Sequence, residues 1–173
     1  PDVWETADPL QRQTIESINK ALIGEKMEYT APSDMSNRVG NARGQLVGGN
    51  LKTLESLAGS ASDINTDGKL LLVEDTGEYL YSIDRMFWNL KRTGKLSQLS
   101  GLIIGGMKIK QDDPGEYFGQ TVYDIVMHKV KEYSYPVCFN FPVGHQIDNF
   151  AVKCGVEHQL LVTASGVSLK EVS

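Results

Sequence analysis

The stretch LLVEDTGE, residues 71–78, carries Glu74 and Asp75 side by side at the end of an apolar run. A carboxylate at the mouth of a buried strand is costly to desolvate unless it is paired, hydrogen-bonded or put to chemical use. Three other short stretches have related properties: Gly48–Gly49–Asn50, Gly105–Gly106 and Gly144–His145. Glycine lets a backbone approach closely, while glutamate and imidazole are groups that hold and move protons. A Glu–His pair suggests acyl transfer, which needs a Ser or Cys nucleophile as third member. The sequence shows none in a suitable place. No serine lies in a G-x-S-x-G elbow, Ser165 falls in a tight turn, and Ser56 lies in an apolar-striped helix. Neither Cys138 nor Cys154 adjoins a strand-end glycine. His128, His145 and His158 are scattered without paired-ligand spacing, which argues against zinc.

Each residue also has a plain structural reading. Glu74 and Asp75 could pair with Arg85, or Asp75 could cap the helix that follows. Asn50 explains itself as a helix cap, and a loop histidine such as His145 is often only a solvated surface group. What sets these four places apart is that all of them fall at strand ends.

The elements that must position them follow from periodicity. Residues 8–22 have helical spacing of Leu10, Ile15, Ile18, Ala21 and Leu22 behind a capping Asp8. Residues 26–43 read as a short strand and a connecting segment outside the core. Strands are expected at 45–47, 69–73, 102–104, 137–139, 150–153 and 159–163, and residues 164–167 read as a tight turn. Helices are expected from Asn50 to about residue 59, from Tyr79 to near Gly94, and across Val122, Ile125, Val126 and Val130. Strands alternating with helices and then a strand-rich tail define an α/β domain with a mixed, partly parallel sheet. In such sheets the functional crevice lies beyond the carboxyl ends of the parallel strands.

Composition sets outer bounds. The 173 residues suffice for one domain with a substantial core, and 40% hydrophobic with 23% charged residues is an ordinary globular composition. A formal charge of -5 without a basic cluster argues against nucleic acid or an anionic membrane as partner. No apolar run approaches the roughly 20 residues of a membrane span, and no signal peptide is visible. The first residue is Pro1 and not Met, so an upstream segment with any targeting signal would lie out of view. Cys138 and Cys154 are expected as buried reduced thiols.

Taken in order, GQLVGGNLKTLESLAG, DGKLLLVEDTGEYLYSIDRMFWNLKRTGKL, GLIIGG and YPVCFNFPVGHQIDNFAV resemble the carboxyl-terminal half of the LD-carboxypeptidases, the muramoyl-tetrapeptide carboxypeptidase family of serine peptidases. The similarity runs from about Arg43 to the end. It implies an interdomain connector with an amino-terminal helix over residues 1–42 and the family's carboxyl-terminal domain, a swivelling β/β/α fold, over residues 43–173. It further implies a Ser-His-Glu triad split over two domains, with the serine and the oxyanion-hole donors on an amino-terminal domain that this sequence lacks. By position Glu74 is then the triad acid and His145 the general base. Gly49, Asn50 and Asp75 become candidate substrate-binding residues, with a bracing or capping role expected for Asp75.

The expected activity is cytoplasmic hydrolysis of the L,D-amide that frees terminal D-alanine from murein tetrapeptides during peptidoglycan recycling. No cofactor or metal is expected, a homodimer is, and the isolated chain should be inactive. Two departures from the family pattern stand out: Gln146, where glycine commonly follows the histidine, and Lys153–Cys154 in place of leucine-proline. The first could reshape the histidine loop. Two rival readings are a microcin-immunity-type peptidase of the same family and a non-catalytic binding domain that kept the fold. The GEYLYSIDR segment resembles the murein enzymes more closely, and a pure binder has no need of both Glu74 and His145.

Overall fold

A computed structural model describes residues 8–172. Its central element is β2 (Gly40–Asn50), a long strand that belongs to two kinds of sheet at once. Its first half, Gly40 to Gln45, pairs antiparallel with β6 (Glu157–Val162), and its second half, Leu46 to Asn50, pairs parallel with β3 (Leu70–Glu78). From β3 the parallel set continues through β4 (Gly101–Ile109) to the short β5 (Val137–Cys138). From β6 the antiparallel set continues through β7 (Gly166–Glu171) to β1 (Glu28–Pro32) at the opposite edge. The seven strands lie in the order β1-β7-β6-β2-β3-β4-β5, the mixed, partly parallel sheet of an α/β domain.

The parallel strands read LLLV and LII because both their faces are covered. One face packs Leu71, Val73, Leu102 and Ile104 under three helices: α2 (Leu51–Leu57), α3 (Leu80–Arg92) and α4 (Val122–Val130). From α3 come Ile83, Met86, Phe87 and Leu90, one apolar stripe at helical spacing. The other face packs Leu70, Leu72 and Ile103 against Leu160, Val162, Val167 and Leu169 of the antiparallel half, giving β/β/α layering. Between the helices, the buried Lys129 ammonium meets Asp84 and lies 4.9 Å from the Trp88 ring centre. Helix α4 starts at a capping box in which Thr121 and Asp124 satisfy each other's backbone N–H. The Arg38 guanidinium donates to the carbonyl of its last residue, Val130 O at 3.0 Å, and to Tyr133 O in the turn beyond it at 2.6 Å.

Several expectations need correction. The segment read as connector enters the core through Met27 and Ala31, and residue 42 falls inside β2. Residues 150–153 are not a strand. Phe150 instead stacks on Tyr29, with ring centres 4.7 Å apart, and Lys153 pairs with Glu171. Both thiols are free, but only Cys138 is buried, since Cys154 lies exposed in a turn. Helix α1 (Pro9–Leu22) forms as its cap predicts, with Asp8 accepting the Leu10 N–H at 3.0 Å.

Candidate active site at the rim of the parallel strands

Glu74 stands where the ladders of β2, β3 and β4 change character. It lies opposite Asn50 of β2, the last pair of that ladder. On its other side Val73 pairs with Ile104 and Asp75 with Met107, so two residues of β4, Gly105 and Gly106, oppose the single Glu74. This bulge opens the rim and lets another backbone in. The backbone it admits is the loop after β5. Gly106 donates its N–H to Val143 O at 2.7 Å, and His145 donates its N–H to Gly106 O at 3.2 Å.

The glycines explain why the approach is possible. A Cβ on Gly105 would stand 2.3 Å from Val143 O. Gly144 has φ +103°, and a Cβ there would stand 2.6 Å from Glu74 Cβ. Any larger residue at position 144 would push the loop off the glutamate.

The result is direct contact between residues 71 apart in sequence: His145 Nδ1 lies 2.5 Å from Glu74 Oε2. The glutamate side chain is 13% exposed and the imidazole 45%, so the acid is sheltered while the ring faces solvent. A carboxylate accepting at Nδ1 fixes the proton on that nitrogen and leaves Nε2 as the basic one. Among the described residues Nε2 makes no hydrogen bond, and no hydroxyl or thiol reaches the ring. The site is therefore an oriented base that can serve a nucleophile arriving from outside the described residues.

Asp75 is held more deeply than Glu74. It is 2% exposed, and its oxygens accept from Lys52 N–H (2.9 Å), Asn50 Nδ2 (3.2 Å) and Thr76 N–H (2.7 Å). It braces the start of α2, the helix before it, and not the helix that follows. Burial leaves it no surface for a substrate contact. Arg85 is not its partner either, since that guanidinium lies 5.0 Å from the Tyr81 ring centre. Asn50 caps α2 by accepting from Thr53 N–H at 3.0 Å while its amide holds Asp75. Gly49, at φ +145°, faces open space, with nothing within 4 Å of where a Cβ would sit.

Two side chains of the loop itself carry more of its shape than the sequence suggests. Gln146 Nε2 donates to Phe141 O at 2.7 Å, and Asn149 Oδ1 accepts the Gly144 N–H at 2.9 Å. Asn149 is the residue that sequence reasoning passed over. The available signal was an Asn five positions after a glycine, near enough for a side-chain-to-backbone closure. Among the described residues no three His, Cys, Asp or Glu side chains converge as a cation cage.

The β/β/α domain thus carries an acid–imidazole pair at the carboxyl rim of its parallel strands. The chain belongs to the LD-carboxypeptidase family, matching the description "LD-carboxypeptidase C-terminal domain" over residues 43–160. It is 32% identical over 141 residues to a probable murein peptide carboxypeptidase of Bacillus subtilis (strain 168), an alignment covering 77% of this chain and 43% of that protein. In structure it resembles muramoyltetrapeptide carboxypeptidase from Oxalobacter formigenes, with TM-score 0.82 and 25% identity over 93% of this chain and 55% of that one. A microcin self-immunity protein shares the fold with TM-score 0.76 at 21% identity, over 96% of this chain and 57% of that one. The chain thus spans less than half the length of the Bacillus relative and little more than half of the Oxalobacter structure.

Proposed function

We propose that this chain supplies the base-bearing half of a serine LD-carboxypeptidase, which releases terminal D-alanine from murein tetrapeptides by hydrolysing the L,D-amide. The observation that carries the reading is the 2.5 Å contact between His145 Nδ1 and Glu74 Oε2, with no hydrogen-bond partner at Nε2 among the described residues. A serine on a preceding domain attacks the scissile carbonyl and passes its proton to Nε2. Glu74 stays ionised and stabilises the imidazolium formed at that moment. The imidazolium then returns the proton to the D-alanine amine as the C–N bond breaks. Water, activated by the same nitrogen, hydrolyses the acyl-enzyme and frees the serine. No cofactor enters this scheme.

The murein substrate is supported by the likeness to the Bacillus and Oxalobacter carboxypeptidases, whereas the microcin-immunity likeness speaks for the fold alone. The test is D-alanine release from a murein tetrapeptide. This chain alone should give none, and adding the serine-bearing domain of a full-length relative should restore turnover. Release by the isolated chain would defeat the reading. We also place the working enzyme in the cytoplasm as a homodimer, which light scattering of the full-length protein would check.

A further inference from the structure

The histidine loop has two halves held in different ways. Its inner half is fixed to β4: Phe141 donates its N–H to Ile104 O at 3.0 Å, and the Gly106 and His145 bonds follow. Phe141 is fully buried below it. The outer half, residues 146–151, forms no strand and joins no ladder. It returns on the inner half through Phe150 N–H to Pro142 O (2.8 Å) and through the carboxamides of Gln146 and Asn149.

We propose that Asn149 is the positioning residue of the Glu74–His145 pair, held in turn by helix α1. The proposal rests on the catalytic reading above for its importance, but its geometry stands apart from that reading. Gly144, the residue before the histidine, combines a left-handed φ with close packing on Glu74. A glycine gives little conformational resistance of its own. Backbone bonds hold the carbonyls on either side of it, Val143 O from Gly106 N–H at 2.7 Å and Gly144 O from Gln146 N–H at 3.0 Å, and the Gly144 N–H itself is held by Asn149 Oδ1. The imidazole is nearly half exposed, and Glu74 is the one side chain among the described residues that bonds to it, so the ring goes where the backbone sends it.

Helix α1 closes the arrangement. Thr14 Oγ1 accepts the Asn149 N–H at 3.4 Å, and the buried Ser17 Oγ accepts the Ala151 N–H at 2.9 Å. Tyr29, after the helix, stacks on Phe150 and donates its hydroxyl to Ala151 O at 2.9 Å. Helix α1 and Tyr29 of β1 therefore grip the loop that carries His145. Displacing α1 would loosen Asn149 and, through it, Gly144 and His145.

The test is ring NMR on this isotope-labelled chain. The Nδ1 proton should appear as a downfield, slowly exchanging resonance, assigned by its loss in Glu74→Ala. Asn149→Ala should speed its solvent exchange by about tenfold, the scale of one lost hydrogen bond, while core methyl resonances stay in place. Asn149→Asp, which keeps an oxygen for the Gly144 N–H, should restore the slow exchange. An Nδ1 proton that exchanges as slowly in Asn149→Ala as in the parent chain overturns the proposal. If Asn149→Ala does not fold, Ser17→Ala decides: faster Nδ1 exchange supports the clasp, and unchanged exchange refutes it. Turnover of the full-length Glu74→Ala protein is the separate arm. Full activity there removes the catalytic reading and leaves the NMR result intact.

Discussion

Glu74 is a carboxylate that the fold shelters without burying, with one imidazole as its hydrogen-bond partner. If it orients a general base, Glu74→Ala in the full-length protein should lower kcat by roughly 10² to 10⁴ and leave KM nearly unchanged, as steady-state D-alanine assays would show. A rise in KM at constant kcat would point to substrate binding instead. Gly144→Ala should destabilise the domain by about 1–3 kcal/mol, the scale for an L-residue forced to this φ, as read from urea unfolding. The residue types at the rim were legible because Glu, His and paired glycines at strand ends are unusual company for apolar runs. The partner of Asp75 was not. Its helix precedes it in sequence and reaches it only through the pairing of β2 with β3, a register that no local pattern states.

At the scale of elements, the loop that carries the base is anchored from beneath by an aromatic side chain. Phe141→Ala should cost about 3–5 kcal/mol in urea unfolding, since a fully buried ring leaves a cavity on the sheet face away from the helices. A cost below that of an exposed substitution would show that the loop is not part of the core. The helices and the cores of the parallel strands could be read from periodicity, because burial on one stripe or on both faces writes itself into residue type. The ends of β3 and β4 could not, since EDTGE is polar and GGMKI opens on two glycines, so neither carries the apolar run of the strand before the bulge. Residues 150–153 misled for the opposite reason: Phe150 and Val152 are apolar because they pack under loops and against Tyr29, not because they pair in a strand.

For the whole molecule, acid should be destabilising through two groups that face each other across β6 and β7, His158 and Glu171. Burial holds the His158 imidazole below its ordinary value. Burial alone would raise the Glu171 carboxyl, but Lys153 and the Met27 N–H outweigh it and hold the group below its ordinary value. In both cases the unfolded chain takes up its proton at a higher pH than the folded one. The stability each contributes is thus complete above its unfolded value and is lost as pH falls through the folded one. Thermal midpoints should decline first through the histidine range and again through the carboxylate range. His158→Gln should flatten the first decline and Glu171→Gln the second. Midpoints that stay level across both ranges would contradict this assignment.

The order of strands also has a consequence for synthesis. β1 precedes the other strands of this domain in sequence and, among the described residues, pairs with β7, Glu28 lying opposite Lys170. A ribosome must therefore deliver every strand from β2 to β7 before that edge can close, and contacts so distant along the chain are slow to form. Until then Met27 and Ala31 stay uncovered, and this domain passes through a stage in which β1 waits, open to a chaperone, for β7.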